Sequence, residues 1–373
     1  MPSKTPHASN DIHETLRKLL ASDAGSVHRR ISDLHLCVGQ PIRYRMDAGL
    51  FVLEGYPPLT TETFNGIVQP IVPGILWKDW LAHPTMDIDL SHDSAYLGCA
   101  LRINLFRDVH GPACTLRFLP DHAPTPEAIG FPSDMVWRQL TDMKQGLVIV
   151  TGITGSGKTT TLASLLQHII DTRPVRVLTL EDPVEYRLHS TRGLVSQREL
   201  NTHISSFAQG LRSALRESPD IICVGEIRDR ESAQLALNAA ETGHLVFSTL
   251  HSKDARGAVQ RLMGFFPVDQ SREVATQISL VLDWVLAQKL VPRADGMGRI
   301  LAMETLRILP SVAHHIRANR LEQLYSSIET GHRHGMNTME RSLIDLARQG
   351  LISVDDAIQH ANDPSMIEGM LGR

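Results

Sequence analysis

Gly152-Ile153-Thr154-Gly155-Ser156-Gly157-Lys158-Thr159 fits G-x-x-x-x-G-K-[ST], a loop that cradles phosphate, with no position out of place. Ahead of it, Leu147-Val148-Ile149-Val150 is an apolar run of buried-strand length. Behind it, Leu162, Leu165, Leu166 and Ile169 recur at helical spacing across 160–170. Strand, loop and helix in that order is the context the loop requires. Its glycines let the backbone approach an anion closely, and the N–H groups of the first helical turn point at it. Lys158 is then expected to reach the β- and γ-phosphates and the Thr159 hydroxyl to ligate Mg2+. Gly152, Thr154, Gly155, Ser156, Gly157 and Thr160 complete the cradle. A glycine-rich turn with an incidental lysine does not account for the flanking strand and helix, so the motif implies binding of a nucleoside triphosphate.

Outward from the loop, strand-like runs at 147–150, 176–180, 221–224 and 245–250 alternate with helix-like runs at 158–170, 207–215 and 230–241. That alternation predicts an α/β fold with a largely parallel sheet covered on both faces. Short alternating segments at 34–38, 43–46, 96–106 and 114–119, after an amphipathic helix marked by Ile12, Leu16, Leu19 and Leu20, read as a small α+β domain over 1–119. Pro120, Pro124, Pro126 and Pro132 make 120–132 a semi-rigid linker without helix or strand. The nucleotide domain then occupies 133–310, and 311–373 is mostly helical.

Ligands of open α/β sheets sit beyond the carboxyl ends of the strands. Glu181-Asp182-Pro183-Val184-Glu185 follows the second strand and Gly225-Glu226-Ile227-Arg228-Asp229 the third, while His244 and His251 bracket the fourth. Carboxylates after a strand often only cap the next helix, and a lone histidine is usually structural. Three such groups around one sheet beside a complete phosphate loop favour a catalytic site.

The chain has 373 residues, 42% of them hydrophobic, which allows two or three soluble domains. A formal charge of −4 leaves no positive excess to neutralise nucleic-acid phosphates, arguing against direct nucleic-acid binding. Cys37, Cys99, Cys114 and Cys223 form no C-x-x-C pair, which argues against a cysteine zinc site and fits a reducing cytoplasm. The first ten residues lack the apolar core of a signal peptide, and the most apolar stretch, 278–291, is broken by Asp283, Gln288 and Lys289. No transmembrane segment is expected, so work at a membrane would run through a partner.

The segments 181–185, 224–229 and 242–251 resemble the Asp box, Walker B and His box of the secretion ATPase superfamily, which drives type II secretion, type IV pili and related type IV systems. The likeness runs from Ser32-Asp33-Leu34-His35-Leu36 to Gly350-Leu351-Ile352-Ser353 and is strongest to the pilus-retraction branch. It implies a RecA-like ATPase domain, a PAS-like N-terminal domain, a homohexamer and an inner-membrane platform protein as partner. It also implies that Glu185 orients or activates the attacking water and Glu226 serves the Mg2+ shell, the division between the two staying open. His251 would sense the γ-phosphate, with His244 supporting the site. Arg102 and Arg117 match the segments that lend arginines to a neighbouring subunit's nucleotide; the alternative is a pair of solvated strand arginines.

Two positions depart from that pattern. His110 stands where the branch carries a further arginine, with Arg107 either replacing it or leaving that contact missing. Where the branch reads A-I-R-N-L-I-R-E, this chain has Ser311-Val312-Ala313-His314-His315-Ile316-Arg317-Ala318, without the first Arg and the final Glu. The resemblance therefore implies pilus retraction and twitching motility, with a type IV secretion or conjugation ATPase, a nucleic-acid translocase and a binding-only regulator as alternatives. His314, His315, His332 and His334 lack a cysteine or carboxylate at ligand spacing and read as surface or packing residues.

Overall fold

The computed structural model describes residues 31–46, 49–94, 99–119, 122–296 and 298–371, and the helix expected around Ile12 and Leu20 lies outside them. The chain divides into two compact units, Met1–Asp121 and His122–Arg373.

The first unit contains β1 (Ile31–Cys37), β2 (Arg43–Met46), β3 (Gly49–Val52), α1 (Thr61–Val68), α2 (Gly74–Ala82), β4 (Ile88–Ser94), β5 (Cys99–Asp108) and β6 (Gly111–Phe118). Its strands form an antiparallel sheet in the order β3-β2-β1-β6-β5-β4. Leu34 and Leu36, Leu101, Ile103 and Leu105, and Cys114 and Leu116 alternate into one core with Phe64 and Ile67 of α1 and Trp77 and Trp80 of α2. With a period of two, the intervening Asp33, Arg102 and Arg117 stand on the opposite face. Sequence patterning missed both helices. α1 is opened by a capping box in which Thr60 and Thr63 exchange hydrogen bonds between side chain and backbone. The end of α2 is closed by Arg107, whose guanidinium donates to the carbonyls of Trp80 (2.8 Å), His83 and Pro84 and stacks 3.7 Å over the Trp80 ring.

The second unit opens with α3 (Pro126–Ile129), α4 (Asp134–Asp142), β7 (Gly146–Thr151), α5 (Lys158–Thr172), β8 (Arg176–Glu181), β9 (Leu194–Glu199), α6 (Phe207–Ala214), β10 (Ile221–Val224), α7 (Arg230–Glu241) and β11 (Leu245–Leu250). It continues through α8 (Ala255–Gly264), α9 (Ser271–Val281), β12 (Leu282–Pro292), β13 (Arg299–Arg307), α10 (Pro310–Arg317), α11 (Gln323–Thr330), α12 (Met339–Arg348), α13 (Val354–His360) and α14 (Pro364–Leu371). Where proline spacing predicts a helix-free linker, Pro126 starts α3 at a position that needs no N–H donor, and Ile129 and Phe131 pack on this unit's core.

The sheet order is β13-β12-β7-β11-β10-β8-β9, parallel throughout except for the antiparallel pair β12·β13. The central strands β7, β10 and β11 are buried at every residue, as a sheet covered on both faces demands. Leu147, Ile149, Ile222 and Val224 face a core with α6 to α10, whereas Val148, Val150, Cys223 and Phe247 face α4 and α5. Each fully buried aliphatic chain contributes about 1.5–3 kcal/mol, so these two layers hold the carboxyl ends of the strands in fixed register.

Candidate nucleotide-binding site

The helices after β9, β10 and β11 each start with a side-chain cap: Ser206 accepts from Gln209 N–H, Asp229 from Ser232 N–H and Asp254 from Gly257 N–H. α5, which follows β7, has none. Its N-cap is Gly157, at a left-handed φ of 88°, so the first-turn N–H groups are left for an anion. Gly152 cannot carry a side chain here, since a Cβ would lie 2.5 Å from the Gln288 carbonyl, against the Ser156 hydroxyl, at φ 150°. The buried Ser156 Oγ has no hydrogen-bond partner, and beneath the helix the buried Gln288 donates to Thr161 Oγ1 at 2.7 Å. Thr160 Oγ1 lies 3.0 Å from the Tyr186 hydroxyl, which ties α5 to the segment after β8.

Lys158 folds back over its own loop, donating to the carbonyls of Gly152 (2.9 Å) and Ile153 (3.0 Å). Burial lowers its pKa, while the charges of Glu226 and Glu185 hold it up. Those two acids arrive from neighbouring strands. Gly225 N–H donates to the Leu180 carbonyl at 2.7 Å and Ile227 N–H to Thr249 at 3.1 Å, which extends the sheet past its strand ends. Glu226 Oε1 then lies 3.4 Å from His251 Nε2, and its Oε2 accepts from Arg228 Nε at 2.7 Å. Arg228 also donates to Asp182 at 3.1 Å and so joins the segments after β8 and β10. Burial pushes His251 below its ordinary pKa, with Lys158, Arg261 and Arg228 adding to the effect against Glu226. The ring is neutral at pH 7, and the Nε2–H tautomer fits its carboxylate neighbour.

His244 is a correction. It precedes β11, where the Gly146 N–H donates to its carbonyl and its ring sits 3.0 Å from the Ala239 carbonyl and 3.2 Å from Thr242 Oγ1. A strand of this length, at about 3.3 Å per residue, separates it from His251 by about 20 Å, at the opposite end of β11. Within one subunit His244 therefore closes the end of α7 and does not approach the phosphate loop.

Arg102 and Arg117 are brought together within the first unit, as register partners across β5·β6. Arg102 pairs with Asp89 at 3.1 Å and Arg117 with Asp33 at 2.8 Å. Arg107 is committed to the end of α2, and His110 lies exposed in the β5–β6 turn, its N–H on Asp108. His332 is held between the Met336 carbonyl and Arg341. Among the described residues, no group of three His, Cys, Asp or Glu side chains is arranged to hold a metal by itself.

The family model for "Type II/IV secretion system protein" matches residues 98–359, which is more than half of the chain. The chain belongs to that family. The chain is 42% identical over 311 residues to the "Twitching motility protein" of Neisseria gonorrhoeae, covering 83% of this chain and 82% of that one. It is 38% identical over 341 residues to the type IV pilus retraction ATPase PilT of Pseudomonas aeruginosa, covering 91% and 97%. The crystal structure of the pilus retraction motor PilT with bound ADP superposes with a TM-score of 0.84 at 37% identity, over 96% of this chain and 99% of that one. The α/β architecture is thus that of a RecA-like secretion ATPase.

Sequence reasoning about this secretion-family chain left Arg228 and Gln288 without a role. Arg228 was legible as a cation two residues past Glu226. Gln288 was not, because its partner Thr161 lies 127 positions away. Glu181 also gains a role only in three dimensions. Its Oε1 accepts from Thr179 Oγ1 (2.6 Å) and Gln197 Nε2 (2.9 Å), yet burial, reinforced by Glu185 and Glu199, pushes it from 4.5 up to about 7. The folded chain then binds more protons than the unfolded one between those values, so this group's contribution is most favourable below about pH 4.5 and is lost as pH rises through 7. Glu181→Gln keeps the acceptor oxygen and removes the charge. Urea unfolding is expected to find the variant equal to wild type near pH 4 and more stable by up to about 3 kcal/mol at pH 8. A difference independent of pH would contradict the assignment.

Proposed function

We propose that this chain is an ATP-hydrolysing motor that powers retraction of a type IV pilus, the activity behind twitching motility. The observation that carries the reading is the meeting of Lys158, Glu226 and His251 beyond the ends of three adjacent strands, over an uncapped helix start. Lys158 and the α5 N–H groups bind the phosphates of ATP, the substrate. Glu185, whose charge already reaches Lys158, orients the attacking water. A neutral His251 donates towards the γ-phosphate and differs in its contacts once that phosphate leaves. The Thr159 hydroxyl and the Glu226 carboxylate are the hard oxygen donors that suit Mg2+, which when bound neutralises charge on the β- and γ-phosphates.

The same reading makes the chain one subunit of a homohexamer that acts on an inner-membrane platform protein from the cytoplasmic side, without direct nucleic-acid contact. Among the described residues no helix is long and apolar enough to cross a membrane. The test is phosphate release from Mg2+-ATP. Glu226→Gln is expected to lower turnover by roughly 100-fold while leaving nucleotide binding within a few-fold. Turnover unchanged in that variant would remove Glu226 from the reaction.

One feature favours a second reading, an ATPase that energises a type IV secretion or conjugation apparatus. The segment that departs from the retraction pattern forms α10, with Val312, Ala313 and Ile316 buried and Ser311, His314 and Arg317 exposed. The place of the branch's first arginine falls on the buried Ala313 and that of its glutamate on the exposed Ala318, so neither charge is available here. A deletion strain decides between the two: excess surface pili without twitching supports retraction, and lost export with normal pili supports secretion.

A further inference from the structure

Between the end of β8 at Glu181 and the start of β9 at Leu194 the chain forms neither helix nor strand, so Glu185 is not placed by the register of the sheet. Its neighbours in sequence are held instead by side chains of β9. Glu199 Oε2 accepts the Val184 N–H at 3.1 Å. Gln197 donates from Nε2 to the Tyr186 carbonyl at 2.9 Å and accepts the Leu188 N–H on Oε1 at 2.8 Å. Gln197 and Glu199 lie two positions apart and so share one face of the strand. Glu185 thus sits between two fastened residues, one immediately before it in the chain and one immediately after.

The Gln197 carboxamide engages the C=O of one residue and the N–H of the second residue along, as the peptide groups of a parallel neighbour do. Its other amide hydrogen goes to Glu181 Oε1 at 2.9 Å, so its donors and its acceptor are all in use. Those partners also settle which end of the amide is oxygen, since only the nitrogen can face a carbonyl. Glu199, 7% exposed, has its second oxygen on the Thr202 hydroxyl at 3.2 Å. The Tyr186 hydroxyl in turn lies 3.0 Å from Thr160 Oγ1, one residue past Thr159 on α5. The segment is therefore fastened both to the edge strand and to the helix that starts at the phosphate loop. Polar residues on an edge strand usually serve only to block further pairing; here two of them replace a missing backbone partner.

We propose that Gln197 is a positioning residue: by holding Tyr186 and Leu188 it sets where the Glu185 carboxylate stands relative to the phosphate loop, with Glu199 holding Val184 on the other flank. The inference rests on the reading of Glu185 as the group that orients the attacking water. A side chain that only satisfied the polar groups of a surface loop would affect stability and nucleotide binding alike. One that places Glu185 affects turnover, and only while Glu185 is present.

Gln197→Met keeps the length of the side chain and removes all three hydrogen bonds. In the full-length chain kcat for Mg2+-ATP is expected to fall about 30-fold, with KM and ADP affinity changed less than about twofold. Gln197→Asn, about 1.5 Å shorter, keeps the amide but cannot span both backbone groups, and should lose less. It also guards against misfolding of the methionine variant, with ADP binding as the sign of an intact site. In a Glu185→Ala background Gln197→Met should slow single-turnover phosphate release by less than about threefold. The proposal is overturned if Gln197→Met turns over within about threefold of wild type, or if its loss is as large without Glu185 as with it. Loss of ADP binding in both variants would assign Gln197 to folding and overturn it as well. Absence of phosphate release from wild type would refute hydrolysis, and amide exchange would then decide the clamp alone. The Leu188 N–H is expected to exchange at least about tenfold faster in Gln197→Met than in wild type, and equal rates would count against the clamp.

Discussion

Lys158→Ala is expected to reduce ATP hydrolysis at least about 1,000-fold, equivalent to about 4 kcal/mol of lost transition-state stabilisation. The ammonium group is the one cation inside the phosphate loop, where it bridges the carbonyls of Gly152 and Ile153. It also faces the charges of Glu226 and Glu185. Its removal takes away the positive charge that Glu226 and Glu185 face, so affinity for ATP falls more than affinity for ADP. Folding should survive. α5 is held by Leu162, Leu165, Leu166, Ile169 and Ile170, all buried in the core shared with β7 and α4. Lys158→Arg is expected to stay nearly as inactive, since a planar guanidinium does not fit the space of a compact ammonium under the loop. Phosphate release measured under single-turnover conditions checks both variants. Activity within tenfold of wild type for Lys158→Ala would mean that the phosphates are bound elsewhere.

That expectation could be framed from the sequence because its physical causes are local. The phosphate loop, β7, β10, β11 and α7 follow from short-range patterns, and β10, α7 and β11 have the predicted limits. The strands β12 and β13 were illegible for an identifiable reason. α9 ends at Val281 and β12 begins at Leu282, with neither glycine nor proline between them, so the apolar stretch over 278–291 reads as one element. β9 escaped because Leu194–Glu199 is polar and lies at the sheet edge, where alternation into a core is not required. Glu226 and His251 followed from the rule that ligands gather at carboxyl strand ends. His244 failed under the same rule, because a strand has two ends and only one of them faces the phosphate loop. The buried Glu304 of β13, which accepts the Ala255 N–H at the start of α8 at 2.7 Å, carried no local signal, because the two residues lie 49 positions apart.

The second large effect is expected from the paired arginines. Arg102 and Arg117 stand directly opposite one another on β5 and β6, a like-charge placement that costs energy unless anions are near. Asp89 and Asp33 supply those anions: Arg102 and Asp89 are both open to water at 32% and 50%, whereas Arg117, 54% exposed, lies over an Asp33 only 7% exposed. A pair as open as Arg102–Asp89 contributes only about 0–1 kcal/mol, so a triphosphate can compete for the Arg102 guanidinium. The Arg117 guanidinium has donors free beyond the Nε that holds the buried Asp33. In the proposed ring these arginines meet the nucleotide of a neighbouring subunit, across a head-to-tail interface in which each site takes its loop and its arginines from different chains. Arg102→Ala and Arg117→Ala are then each expected to lower kcat by about 100- to 1,000-fold with ADP affinity little changed, as for arginines that act on the transferring phosphoryl group. Mixing provides the decisive measurement. An Arg102→Ala subunit retains a working phosphate loop, and a Lys158→Ala subunit retains working arginines. Random assembly at equal amounts should therefore restore about a quarter of the sites to full composition. Phosphate release should rise well above either variant alone and peak near equal mixing. Two variants that co-assemble, as judged by native mass, yet show no recovery at any ratio would place each active site within a single chain and leave Arg102 and Arg117 as surface residues.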